Sequence, residues 1–169
     1  MKRIIYSITF LLVLCTSALS QEKATVYLFL LDDCIICQSY TPKLNKLYHK
    51  YGDDIEFRGV FPNFSSKPKK IALYKETYNV EFTTQTDYWK DLVKKYNVEV
   101  TPEVVVVLKD RVLYKGRVDN EFVGLGKRRK VVTTDELGEV LESIASGDIK
   151  EFPFTEAVGC FINFNDPIK

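Results

Sequence analysis

Histidine is almost missing from this 169-residue chain, His49 being the only one. A closed Cys3His zinc site would have to use it, yet it lies about three helical turns beyond Cys37 and is badly placed. Charge of one sign is also missing, with 24 Lys and Arg against 23 Asp and Glu. Nothing in that balance points to nucleic acid or an anionic membrane as partner. The basic run "KRRK" at 127–130 reads as a solvated loop. No repeat and no low-complexity stretch occurs.

An apolar run long enough to span a bilayer is lacking as well. "IIYSITFLLVLC" falls short of the roughly 20 residues a spanning helix needs. With "MKR" before it and "ALS" ending at Ser20, it has the layout of a secretory signal peptide, with cleavage expected after Ser20. Leu14 before Cys15 is a poor fit to a lipoprotein cleavage site. Residues 1–20 therefore read as a signal peptide and 21–169 as one domain of 149 residues, exported to a periplasm or secreted, without a membrane anchor after cleavage. Lys2 and Arg3 leave with the leader, so 22 basic face 23 acidic side chains.

Three cysteines remain: Cys34, Cys37 and Cys160. Export puts them where disulfides persist, and an odd number leaves one thiol without an internal partner. The pair in "LLDDCIICQSYTP" (30–42) fits a working dithiol, half a zinc site or a structural disulfide. Gln38 stands where c-type haem attachment needs a histidine. A bridge between Cys34 and Cys37 would close a very small loop and add little stability, so chemistry explains the pair better than a staple does.

The element order follows from periodicity. "ATVYLFLL" (24–31) reads as a strand buried on both faces. Ile36, Tyr40, Leu44, Leu47 and Tyr51 recur at helical spacing, with Pro42 inside and Gly52 as a stop. "IEFRGVF" (55–61) is a second strand, and Ser66 with Pro68 opens a second helix carrying Ile71, Tyr74 and Tyr78. An extended piece at "VEF" (80–82) precedes a helix capped by Asp87, with Trp89, Leu92, Val93 and Tyr96 facing one way. "EVVVVLK" (103–109) and "RVLYKGR" (111–117) form a hairpin around Asp110. "TTDELGEVLESIASG" (133–147) carries a capping box from Thr133 to Glu136 and the stripe Leu137, Val140, Leu141, Ile144. The tail 148–169 has no usable period. It is expected to pack on the domain, with Phe152, Phe154, Phe161 and Phe164 covering core. Early parallel strands and a late hairpin predict an α/β fold with a mixed central sheet and helices on both faces.

"CIIC" after a buried strand, Pro42, "VTPEVVVV" (100–107) and "YKGRVD" (114–119) together resemble the thioredoxin fold. "YTPKLNKLYHKYG", "GVFPN", "VVTTDEL" and "TEAVGCFI" resemble more closely its exported redoxin branch, of alkyl hydroperoxide reductase or thiol-specific antioxidant type. The strand and helix near 80–96 match that branch's insertion. The resemblance implies that Cys34 attacks, Cys37 resolves, and a cis Thr101–Pro102 bond faces the dithiol, with the Thr101 backbone free to pair an extended substrate. Glu103, next to Pro102, is a candidate proton shuttle.

Several supports of the relatives are absent. Tyr27 and Leu31 stand where peroxiredoxins carry the proline and threonine that precede their cysteine. Asp33 and Leu28 replace the tryptophan and buried acid of thioredoxins. A helix end favours a thiolate at Cys34 by ~0.3–1 kcal/mol. A carboxylate ~6 Å away, from Asp32 or Asp33, opposes it by roughly 0.7–3 kcal/mol. These overlap and leave the acidity of Cys34 unsigned.

The reading favoured is thiol–disulfide exchange without a cofactor, by a monomer acting on protein or small disulfides with a thiol electron donor. The alternatives are a thiol peroxidase and a copper chaperone using the three thiolates. Cys160 in "AVGCFI" keeps three readings: a buried small hydrophobe, a third redox thiol, or a partner or ligand site.

Overall fold

A computed structural model describes residues 22–165. The expected signal peptide lies outside the described residues. Among the described residues no helix is long and apolar enough to cross a membrane.

Strand β1 (Thr25–Phe29) occupies the middle of a five-stranded sheet. Beside it run β2 (Glu56–Phe61) and then β3 (Thr83–Thr86), both parallel to their neighbours. On its other side β5 (Glu103–Leu108) and β6 (Arg111–Gly116) pair antiparallel. The mixed sheet thus follows from connection length: helices link the parallel strands, and the Lys109–Asp110 turn links the hairpin.

Alternation along the strands builds two cores. Val26, Leu28, Val104 and Val106 face α1 (Ile35–Tyr51), α2 (Pro68–Tyr78) and α4 (Glu136–Ala145), which bury Leu44, Tyr74 and Leu141 among others. Phe29, Val60 and Val105 face the other way, against Val93 and Tyr96 of the short α3 (Asp91–Tyr96). Helices therefore cover both faces. A small hairpin of β7 (Phe122–Gly124) and β8 (Lys127–Arg128) takes up part of the basic run expected as a loop, and Lys127 and Arg128 are exposed.

Local details differ from expectation for identifiable reasons. The third strand is the polar Thr83–Thr86, while Val80 and Phe82 of "VEF" are buried core residues just before it. As an edge strand its side chains need not be apolar, so it left no alternating pattern. Asp87 does accept from the N–H groups of Asp91 (2.9 Å) and Val93 (3.0 Å). Lys90 at φ 62° turns the chain between them, so Trp89 precedes α3 and is 66% exposed rather than on its packed face.

The capping box of α4 is also displaced. Asp135 caps by accepting from Gly138 N–H (3.2 Å), because the Glu136 carboxylate is drawn to Arg117 and the Thr133 N–H donates to Asn120 (3.0 Å). Ser66 does not cap α2, whose N-cap is Lys67; its hydroxyl donates to Asp32 instead.

The tail adds a further strand. Phe152 N–H donates to Leu113 O (2.8 Å) and Thr155 N–H to Lys115 O (3.0 Å) as the chain passes along β6. Gly116 there has φ 146° and leaves no room for a Cβ beside Thr155. Farther on, β9 (Cys160–Phe161) pairs antiparallel with β4 (Val100–Thr101). Phe152 does pack on the core, but Phe154, Phe161 and Phe164 are exposed.

Candidate active site

The polypeptide leaves β1 at Phe29, turns through Asp32 and Asp33, and enters α1 with Cys34 as its N-cap. Cys34 takes extended backbone angles there (φ −85°, ψ 114°), and its carbonyl accepts the first helical bond, from Gln38 N–H at 2.9 Å. No side chain caps this end, so its orphan N–H groups remain a source of partial positive charge beside the sulfur. Cys37 follows one turn on, fully buried.

The Thr101–Pro102 peptide that faces this turn is cis. The Cys34 Sγ lies 3.4 Å from the Thr101 carbonyl oxygen. The Thr101 hydroxyl, itself buried, donates to the Cys160 carbonyl at 3.4 Å and also hydrogen-bonds the Cys37 sulfur. Thr101 therefore touches all three cysteine residues.

The disulfide falls to a different pair from the expected one. Cys34 is bonded to Cys160, with Cα atoms 6.1 Å apart and the two residues 126 positions apart in sequence, while Cys37 is a free thiol. The cause is strand pairing. The register of β4 with β9 sets Cys160 directly opposite Thr101, against the sulfur that Thr101 already faces. Gly159 permits the approach, since a Cβ there would overlap the Thr101 carbonyl. Of the three readings of Cys160, the buried hydrophobe gives way to a half-buried disulfide partner.

Burial pushes the Cys37 thiol up to about 12, with the Asp33 carboxylate adding to it. The Leu31 N–H, 3.5 Å from the sulfur, and the Thr101 hydroxyl oppose the shift without overcoming it. Beneath it, the Cys37 carbonyl accepts from Thr41 Oγ1 (2.8 Å) and Tyr74 Oη (3.5 Å).

The two aspartates prove unequal. Asp32 has a side chain only 10% exposed, receives the Ser66 hydroxyl and has Lys70 Nζ at 4.0 Å, whereas Asp33 is exposed and acts on Cys37 directly. Glu103 is buried, and burial raises its pKa against the pull of Lys115. Its carboxylate is engaged by Lys115 Nζ (3.3 Å) and Glu99 N–H (3.4 Å).

For metal binding, no group of three or more His, Cys, Asp or Glu side chains is gathered among the described residues. His49 sits with Glu81 at 3.6 Å, far along α1 from the cysteines. Sequence reasoning missed β9 itself and the Thr155 anchor. A two-residue strand has no period to detect, and the only signal was glycine before cysteine.

Solved structures share this architecture. An uncharacterised conserved protein from Geobacillus kaustophilus superposes with a TM-score of 0.71 at 20% identity, covering 85% of this chain and 78% of that one. A hypothetical protein from Sinorhizobium meliloti gives 0.69 at 21% identity, covering 84% and 80%. A secreted Mycobacterium tuberculosis disulfide oxidoreductase homologous to E. coli DsbE gives 0.53 at 21% identity, covering 73% and 83%. No curated protein matches the sequence. The thioredoxin-like family model matches residues 22–112, from the strand before the cysteine pair into the second strand of the β5–β6 hairpin and over more than half of the sequence, and so the chain belongs to the thioredoxin-like family.

Proposed function

We propose that the protein is an exported thiol–disulfide oxidoreductase in which Cys34 exchanges with a substrate disulfide and Cys37 resolves the intermediate. The observation that carries this reading is the placement of Cys34: N-cap of α1, sulfur against the Thr101 carbonyl, already in a disulfide, with a second thiol one turn away. The secreted disulfide oxidoreductase of similar fold is consistent with both the chemistry and the export.

In the forward direction the Cys34 thiolate attacks one sulfur of the substrate disulfide, and the other leaves as a thiolate. Cys37 loses its proton, attacks Cys34 Sγ and releases the second substrate sulfur, leaving Cys34–Cys37. A thiol donor then restores the dithiol. Thr101 and Pro102 supply the backbone edge on which an extended substrate segment lies. Glu103, buried beside that loop and paired with Lys115, is the candidate proton shuttle.

Turnover of glutathione disulfide and of a peptide mixed disulfide tests this. Cys34→Ser abolishes turnover, while Cys37→Ser combined with Cys160→Ser, which leaves no second thiol to displace the substrate, accumulates a substrate adduct on Cys34. Turnover by Cys34→Ser at the wild-type rate would refute the mechanism.

A further inference from the structure

The tail occupies the place that the exchange reading reserves for a substrate. Its strand β9 pairs antiparallel with Val100 and Thr101, and Cys160 bonds to the sulfur that attacks substrate. We propose that residues 159–162 are a built-in substrate mimic, with Cys160 a third redox thiol whose bond to Cys34 closes the Thr101 edge until exchange releases it. The inference rests on the proposed exchange reaction and adds to it a self-substrate and the recognition rule that self-substrate displays.

Three observations converge on it. The first is occupancy: with the tail in place Cys34 is only 1% exposed, so no outside sulfur reaches it, and the groove is sealed by the chain's own cysteine. The second is construction. The Ile162 N–H donates to Glu99 O (3.1 Å), the Asn163 N–H donates to Asn63 Oδ1 (2.9 Å), and Ile162 is buried in the second core. Upstream, Thr155 binds the end of β6 through Tyr114 Oη and Arg117 N–H. Cys160 is therefore presented to Cys34 by anchors on both sides, not by a loose end. The third is fit: Gly159 lies where any Cβ would overlap the Thr101 carbonyl, so this edge accepts a glycine directly before the cysteine.

Release needs no outside oxidant. Cys37 gives its proton to water and attacks Cys34 Sγ. The Cys34–Cys37 bond forms as Cys34–Cys160 breaks, and the departing Cys160 thiolate takes up a proton. One disulfide and one thiol stand on each side, and no electron enters or leaves. Burial of the Cys37 thiol slows this step at neutral pH and keeps the edge closed. The same bond opens when two donor thiols reduce it, the first attacking the half-buried Cys160 sulfur as the Cys34 thiolate leaves and the second displacing the first as a donor disulfide. The substrate class this favours is an extended segment carrying Gly-Cys.

Acid quenching, alkylation and peptide mapping of the oxidised protein test the pairing, in wild type and in Gly159→Ala. Wild type is expected to carry Cys34–Cys160, in a proportion to Cys34–Cys37 that does not vary with the ratio of reduced to oxidised glutathione. The alanine variant should shift that proportion towards Cys34–Cys37 by at least about tenfold, because the added Cβ would meet the Thr101 backbone and not a flexible side chain. Hydrogen exchange on wild type gives an independent reading: residues 159–163 should be protected when oxidised and lose that protection on reduction.

Turnover of a glutathionylated Gly-Cys peptide then separates the possibilities. Cys160→Ser, which removes the bond that locks the tail onto the edge, should turn it over severalfold faster than wild type. An equal rate makes the bond a staple, and a slower one makes Cys160 a relay to solvent; either overturns the mimic while exchange at Cys34 stands. Cys160 alkylated in every oxidised sample overturns it too. Absence of turnover in both proteins defeats the exchange reading itself.

Discussion

At Cys37 the free energy of a proton is coupled to the fold. The thiol is fully buried, and its pKa rises from 9.0 to about 12, chiefly by desolvation. A raised pKa means that the folded state holds the proton more tightly than the unfolded chain does. The contribution to stability is therefore whole below about pH 9 and drains away as pH climbs from there towards 12. Urea unfolding of the oxidised protein alongside Cys37→Ala checks this, because tyrosine and lysine titrations cancel in the comparison. The stability of wild type relative to the variant should be flat from pH 6 to 8 and fall beyond about 9, in the direction set by the linkage relation. A difference that rises or stays level across the alkaline range would contradict the buried thiol. Aspartates at 32 and 33 were legible as charges near the cysteines, but their roles were not. Only folding brings Ser66 and Lys70 to Asp32 and leaves Asp33 to act on Cys37.

Elements with strong periods were readable: β1, α1 and the β5–β6 hairpin lie within a few residues of where their apolar patterns put them. What failed was chemistry set by distant partners. Thr133 and Glu136 have the spacing of a capping box, yet Arg117 and Asn120, both remote from α4 in sequence, claim them. Asp135 takes over because Gly138 has no Cβ to collide with its carboxylate. That carboxylate also receives Lys43 Nζ at 2.7 Å, tying α4 to α1. Asp135→Ala should thus cost about 1–2 kcal/mol, at the upper part of the range for a lost N-cap, measured as a lowered urea midpoint. Asp135→Asn should recover most of it, since an asparagine oxygen caps as well. Loss in both variants alike would assign the effect to Lys43 rather than to the cap. The tail was the least legible element, its register written in contacts with β4 and β6 and not in a repeat of its own.

Across the whole molecule, the two possible disulfides enclose very different lengths of chain. Cys34 and Cys160 are 126 positions apart, and their bond ties the tail at β9 to the start of α1 beside the Thr101–Pro102 loop. Loop-closure entropy for a ring of that size favours the folded state by about 5 kcal/mol, against about 2 kcal/mol for the ring between Cys34 and Cys37. The difference, up to about 3 kcal/mol, must appear in redox terms as well, because a bond that stabilises the fold is stabilised by it. At 1.4 kcal/mol per 30 mV, Cys34–Cys160 should be harder to reduce than Cys34–Cys37 by up to about 60 mV. Two variants isolate the bonds: Cys37→Ser retains only the long one and Cys160→Ser only the short one. Guanidinium unfolding of each, oxidised and reduced, should show oxidation stabilising Cys37→Ser by more than Cys160→Ser, with equilibration against glutathione placing the Cys37→Ser potential lower. Equal gains in both would mean that the tail stays docked in the unfolded ensemble or that the long bond distorts the native sheet. The ordering of the two potentials decides whether the closed, tail-bound form is the resting state that the geometry at Thr101 presents.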